Sequence, residues 1–373
     1  MFWRTTKISK SSLLFLAFIG LILIVFVESS LHSVKQRWFD QKLIAAKTAA
    51  KAQEVIRSAI AEKRIVIDPI TDPNETGIIG EQFTLITTDQ GDLDAKLTTT
   101  DPNWAAVVVD LLKSAGVDSG SYVAVSYTGS MPAMNIATLA AIEALKAKPV
   151  IIASIGASMW GANNPDFAWL DMEKLLVDRG IFHNRSCAAS PGGRGDRGGN
   201  LSPRGRNLCK EIASRNAVPF IQEKTLDDAI SKRCNIFMEH LPEGEKFSVY
   251  VNVGGGLASI GSFHNLELLK PGLIKRLPVR NYPIRGAMIR FGEKGIPIID
   301  LREIKILARR YNLPISPHPI PEPPSGGVFF KEHYRTELVA IIMMAYALLT
   351  FIIIRLDVKS YIRRRKNLSL SSD

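Results

Sequence analysis

Histidine and cysteine are scarce in this chain, with six and three among 373 residues, and neither is spaced to hold a metal ion. The histidines lack an H-E-x-x-H run or any paired spacing, so a histidine-built zinc site has no support and no metal is expected. Cys187, Cys209 and Cys234 are an odd set that permits at most one intramolecular bridge. The Lys-Ser/Thr of a P-loop and the G-x-G-x-x-G of a dinucleotide fold are both missing, which argues against nucleotide binding. No internal repeat and no disordered composition is present, and nothing in the sequence names a cofactor.

Charge is lacking in two stretches. Ser11 to Val27 and Leu338 to Ile354 contain no charged residue, and 17 residues at about 1.5 Å each span about 26 Å, close to a bilayer core. Both are read as transmembrane helices. Arg4, Lys7 and Lys10 precede the first; Arg355, Lys359, Arg363, Arg364, Arg365 and Lys366 follow the second. Lys/Arg bias of this kind places both tails in the cytoplasm. A cleaved signal peptide is the rival reading of the first span, but Glu28-Ser29-Ser30 offers no small-x-small site, and an uncleaved anchor is expected. The sequence thus predicts a two-pass protein of the cell membrane with its main domain extracytoplasmic. Of the net charge of +11, the two tails carry +7, and the +4 left between them does not suggest nucleic acid.

The boundaries follow. Residues 1–10 and 355–373 are cytoplasmic tails, 28–66 a helical stalk carrying Leu43, Ile44, Val55, Ile56 and Ile60, 67–313 the domain, and 314–337 a proline-rich spacer. Within the domain, Asp101-Pro102 suggests an N-cap and first-turn proline. Tyr122 to Tyr127 and Val150 to Ile155 read as strands around a helix from Pro132 to Lys146, one βαβ unit. Helices from Pro165 to Arg179, Leu226 to His240 and up to Tyr311, with strands Phe247 to Val253 and Pro297 to Ile299, extend the alternation. The expected fold class is α/β, a mainly parallel sheet with helices on both faces.

Ligands of such sheets bind beyond the carboxyl ends of strands, where helix N-termini aim free N–H groups. Three segments occupy such ends: Thr128-Gly129-Ser130-Met131-Pro132, Ser154 to Ser158, and Asn252-Val253-Gly254-Gly255-Gly256. Ser130 is a candidate nucleophile at a strand-to-helix turn, although Pro132 stands where a G-x-S-x-G elbow has its second glycine, and a plain N-cap is the rival reading. Ser158 is read as loop or anion-binding, and Gly129, Asn252, Gly254 and Gly255 as close backbone approaches to a phosphate or carboxylate. Asn163, Asn164 and Asp166 precede a helix bearing Asp171 and Glu173, which point about 200° apart and cannot form one carboxylate pair. Asp171 and Asp196 are the candidate bases and Glu173 a candidate ligand residue. Asp196 lies in a Gly/Arg-rich loop, where Arg194, Arg197, Arg204, Arg206 and Lys210 form a cationic patch suited to an anionic ligand.

Taken in order, these stretches resemble the poly-gamma-glutamate system protein family, membrane-anchored proteins encoded with the poly-gamma-glutamate synthesis machinery. The likeness runs from Gly77-Ile78-Ile79-Gly80-Glu81 through Thr87-Thr88, Gly91 to Lys96, Asp101-Pro102-Asn103 and Gly129 to Asn135. It is densest from Gly156-Ala157-Ser158 to Trp169-Leu170-Asp171-Met172-Glu173. It continues through Ser190-Pro191-Gly192-Gly193, Asp196, Gly205-Arg206 and Val251 to Gly255. Ile299-Asp300-Leu301-Arg302 departs from it, since a histidine and a Leu-Leu pair are expected after that strand. The resemblance implies a component of capsule-type polymer synthesis or export that contacts the polymer, the membrane and other subunits of the machinery. It implies no particular reaction, so three readings stand: an accessory subunit binding the polymer, a serine-type hydrolase or transferase acting on amide or ester bonds, and a scaffold without a ligand site.

Overall fold

The computed structural model describes residues 8–370 and divides into two compact units. One comprises the chain ends up to Lys35 and from Phe330; the other is Gln36–Phe329. In chain order the elements are α1 (Lys10–Glu28), β1 (His32–Lys35), α2 (Phe39–Glu62), α3 (Leu93–Thr99), α4 (Trp104–Ser114), β2 (Tyr122–Thr128), α5 (Pro132–Leu145) and β3 (Lys148–Ser154). There follow α6 (Trp169–Asp178), β4 (Ala188–Ser190), α7 (Pro203–Arg215), α8 (Leu226–Glu239), β5 (Phe247–Val253), α9 (Leu257–Ile260) and α10 (Phe263–Glu267). The last are β6 (Gly272–Ile274), α11 (Ala287–Glu293), β7 (Ile298–Leu301), α12 (Ile304–Tyr311), β8 (Phe330–His333) and α13 (Thr336–Leu370).

In the first unit, α1 and the stretch Thr336–Ser360 of α13 are each long and apolar enough to cross a membrane. Leu14, Phe18, Leu21 and Ile24 of α1 and Ile341, Met343, Leu348 and Phe351 of α13 are exposed, so neither helix is buried inside the protein. Such surfaces suit lipid rather than water. The helices run antiparallel: the Ser9 N–H donates to Asp357 at 2.8 Å near one end, and Tyr334 donates to Glu28 at 2.9 Å near the other. Midway, the Tyr346 hydroxyl donates to the Leu16 carbonyl at 3.1 Å. β1 and β8 pair antiparallel. Of the basic residues expected to orient the spans, Arg4 and Lys7 lie outside the described residues.

The second unit is built on a six-stranded sheet of order β4-β3-β2-β5-β7-β6, in which only β6 runs antiparallel. Val123, Val125, Ile151, Ile152, Val249 and Val251 are all buried, as near-continuous apolar strands of a parallel sheet require. Phe237 of α8 and Phe291 of α11 meet Phe247 and Tyr250 of β5 in an aromatic cluster with centroids 4.9–6.1 Å apart. Edge and tilted geometries predominate there, as the ring quadrupoles favour.

Two expectations change. The helix read as a stalk, α2, belongs to the globular unit: Ala45, Ala46, Ala49, Ala52, Ile56, Ala59 and Ile60 are buried, whereas Ile44 is exposed. Its packing stripe is alanine rather than the larger apolar residues, which lets α2 approach its partners α4 and α5 closely. Lys42 is fixed there too, its ammonium 2.7 Å from Asp110 and 3.1 Å from the Val328 carbonyl. The proline-rich segment is strapped to the unit instead of acting as a free spacer. The Pro317 carbonyl accepts from Asn74 at 2.7 Å, the Ser316 N–H donates to Thr98 at 3.0 Å, and Phe329 is buried against Phe39.

Candidate functional site

The carboxyl ends of β2, β3, β4, β5 and β7 open into one cleft of about 1300 Å³. Its lining includes hydroxyl side chains and many glycines: Thr128 and Ser130 after β2, Ser154, Gly156 and Ser158 after β3, Gly192, Gly193 and Gly195 after β4, and Gly254, Gly255 and Gly256 after β5. The three segments that the sequence placed at strand ends are therefore brought together. Arg194, Arg197 and Lys224, all exposed, supply positive charge, and Lys96 is buried in the lining; Asp89, Asp92 and Glu303 are the acidic lining residues. Asp92 is already engaged by Lys305 at 2.8 Å.

Close backbone approach explains two of the glycines. A Cβ at Gly254, where φ is +83°, would sit 2.2 Å from the Thr128 hydroxyl oxygen. A Cβ on Gly129 would sit 2.6 Å from the Ile155 carbonyl oxygen, so the loops after β2 and β3 touch only because Gly129 carries no side chain there. The Thr128 hydroxyl, beside Gly254, is buried without a hydrogen-bond partner.

Ser130 and Ser158 meet at that contact. The Ser158 N–H donates to the Ser130 hydroxyl at 2.9 Å, and the neighbouring Ala157 and Met159 amides are held by the Ile86 and Asp89 carbonyls at 3.2 and 3.0 Å. Lys96 of α3 completes the group. Its amine is hydrogen-bonded to the Ser130 carbonyl and lies 2.8 Å from the Ser158 hydroxyl. Burial pushes the Lys96 amine down to about 7, against an opposing pull from Asp92. Lys96 carries no spacing signal that would single it out in the sequence.

Other expected site residues lie outside the cleft lining. Asp196 is not a free base: it sits 3.1 Å from Arg233 in a fully buried ion pair and accepts from Ser190 at 2.7 Å. Arg233 also donates to Ser154 at 2.9 Å and to Ser190 at 2.5 Å, which ties β3, β4 and α8 together beneath the loops. Arg233 was legible in principle. It shares the face of Ala229, Ile230, Ile236 and Phe237 on α8, and a lone cation on an apolar face demands a buried partner.

Asp171 closes a capping bond to the Ala168 N–H at 2.8 Å and pairs with Arg215 and Asn216. Glu173 is buried, accepting from the Ser186 N–H at 2.9 Å and its hydroxyl at 3.0 Å, and burial pushes its carboxyl up to about 7. Asn163 spans to the 81–87 segment, donating to Glu81 at 2.6 Å and Thr87 at 2.9 Å, while Asn164 accepts from the Asp166 N–H. Asn252 lies just below the cleft and donates to Gly254 and Asp300, each at 3.0 Å. The cationic patch divides: Arg194 and Arg197 line the cleft, whereas Arg206 donates to the Leu201 carbonyl at 2.5 Å and, with Arg204 and Lys210, lies on α7. Asp101 accepts from the Asn103 N–H at 2.9 Å, one turn ahead of α4, whose N-cap is Asn103. Cys187, Cys209 and Cys234 are unpaired, and among the described residues no group of His, Cys, Asp and Glu is placed to hold a metal ion.

No protein-family model matches the sequence, and comparison with curated proteins and with solved structures returns no match.

Proposed function

We propose that the cleft binds a segment of an anionic polymer of the poly-gamma-glutamate type outside the cytoplasm, and that the protein serves synthesis, export or anchoring of that polymer at the cell envelope. In this reading α1 and α13 cross the cell membrane with both tails cytoplasmic. The sheet, flanked by helices on both faces, presents its strand ends to the polymer, and the spans contact other subunits of the machinery. The observation that carries it is the lining itself. Backbone turns of three glycine-rich segments and three exposed cations, Arg194, Arg197 and Lys224, surround one cleft, which suits a ligand with one carboxylate per residue. The resemblance noted in the sequence supports the same ligand class.

Full-length protein in detergent should bind poly-gamma-glutamate with an affinity that falls as salt is raised, because the contacts are exposed and screened. Replacing Arg194, Arg197 and Lys224 together by alanine should weaken binding about tenfold, roughly 1.4 kcal/mol, and flatten the salt dependence. Unchanged affinity in that variant would remove the cleft as the binding site, and salt-insensitive binding would remove the electrostatic account.

A further inference from the structure

The three groups at the contact between the β2 and β3 loops do more than line a binding cleft. Ser158 is half-buried with its hydroxyl on the cleft, and its backbone is fixed on both sides by the 86–89 segment. Lys96 is 3% exposed, and its amine reaches the Ser158 hydroxyl at 2.8 Å. It reaches Ser130 only through the backbone carbonyl. The Ser130 hydroxyl is occupied in turn as acceptor for the Ser158 N–H at 2.9 Å. The geometry thus separates the two serines: Ser158 faces the base and Ser130 orients the loop that carries it.

We infer that Ser158 is a nucleophile and Lys96 its general base, and that the cleft hydrolyses backbone amide bonds of the polymer it binds. This rests on the preceding reading for its substrate. A neutral amine can keep its donation to the Ser130 carbonyl and, by turning its lone pair to the Ser158 oxygen 2.8 Å away, take that hydroxyl's proton in the reaction. Burial holds Lys96 down to about 7, so the neutral form prevails above that pH. Its charged surroundings are Asp92, which opposes the shift, with Asp89, Arg302 and Glu303 also lining the cleft; Lys305 of α12 engages Asp92 at 2.8 Å and Asp94 at 3.4 Å.

The step balances without a co-reactant other than water. The Ser158 oxygen forms a bond to the amide carbonyl carbon as its proton passes to the Lys96 amine. Collapse breaks the C–N bond, and the leaving amine takes that proton from the Lys96 ammonium. Water then attacks the acyl ester and gives its proton to Lys96. The ester C–O bond breaks, and the proton returns to Ser158. α5 starts at Pro132, two residues after Ser130, so the positive end of its dipole is available to a carbonyl oxygen held at this loop.

The test treats full-length protein in detergent with a fluorophosphonate, maps the adduct by mass spectrometry, and follows poly-gamma-glutamate binding and chain length in the same samples. The expected result is an adduct on Ser158, absent in Ser158→Ala, together with shortening of the polymer. The labelling rate should rise about tenfold per pH unit up to about 7 and then level off. Lys96→Met should slow labelling by roughly 10²- to 10⁴-fold, the usual worth of a general base, while a far-ultraviolet circular dichroism spectrum matching the wild type shows that the fold is intact. Bound polymer with neither adduct nor shortening would overturn this inference and leave the binding reading standing. An adduct on Ser130 instead would overturn it as well. An adduct on Ser158 without polymer binding would remove the polymer as substrate, overturning both the inference as stated and the reading beneath it.

Discussion

Asp196→Asn is expected to lower the stability of the globular unit by about 3–5 kcal/mol, the cost of leaving a buried charge uncompensated. Asp196 and Arg233 are each 1% exposed at the side chain and 3.1 Å apart, and both hydrogen-bond to the serines that end β3 and β4. The guanidinium has no route to water, so losing its carboxylate partner strands a cation in low dielectric. Thermal unfolding of the full-length protein in detergent should show a fall of ~10 °C. Asp196→Asn with Arg233→Met should be more stable than Asp196→Asn alone, because the stranded charge is gone. A change within about 2 °C for the single variant, or no recovery in the double, would mean that the pair does not hold these strands together.

Glu173→Gln should act in the opposite direction, and only at neutral and higher pH. Burial raises the folded-state carboxyl from 4.5 to about 7, so between those values the native protein holds a proton that the unfolded chain has released. Stability from this group therefore falls as pH rises from about 4.5 to about 7, by an amount on the order of 3 kcal/mol. Glutamine retains the acceptor for Ser186 and cannot ionise. The variant should match the wild type near pH 4.5 and exceed it above pH 7, and the difference between their melting temperatures should grow across that window. A difference independent of pH would show that Glu173 is charged in the fold, contrary to its burial among Ser186, Tyr127 and the apolar core.

Much of this architecture is legible before any coordinates. The strands Tyr122–Thr128, Lys148–Ser154 and Phe247–Val253 are mostly apolar or β-branched because a central parallel strand is buried along most of its length. Their carboxyl ends carry the glycine and serine clusters that line the cleft. Less was readable where long-range pairing decides. Ala188–Ser190 and Gly272–Ile274 are strands of three residues, too short to carry a period. Alanine on α2 looks like an exposed helix former until α4 and α5 are there to cover it. Asp196 reads as a free acid in a glycine-rich loop because its partner lies 37 residues on, in α8. Likewise motif spacing favours Ser130 over Ser158, and it carries no sign that Lys96, 62 residues earlier, comes within 2.8 Å of the Ser158 hydroxyl.

On the function proposed above, the polymer sits in the cleft at the strand ends. Hydrogen exchange of the full-length protein in lipid nanodiscs, with and without poly-gamma-glutamate, tests this most directly. The expected result is slower exchange confined to the glycine-rich segments around residues 192–199 and 254–264 and to the loop bearing Ser158, with α2, α6 and α7 unchanged. Protection centred on α7 around Arg204, Arg206 and Lys210, or no protection under saturating polymer, would contradict it.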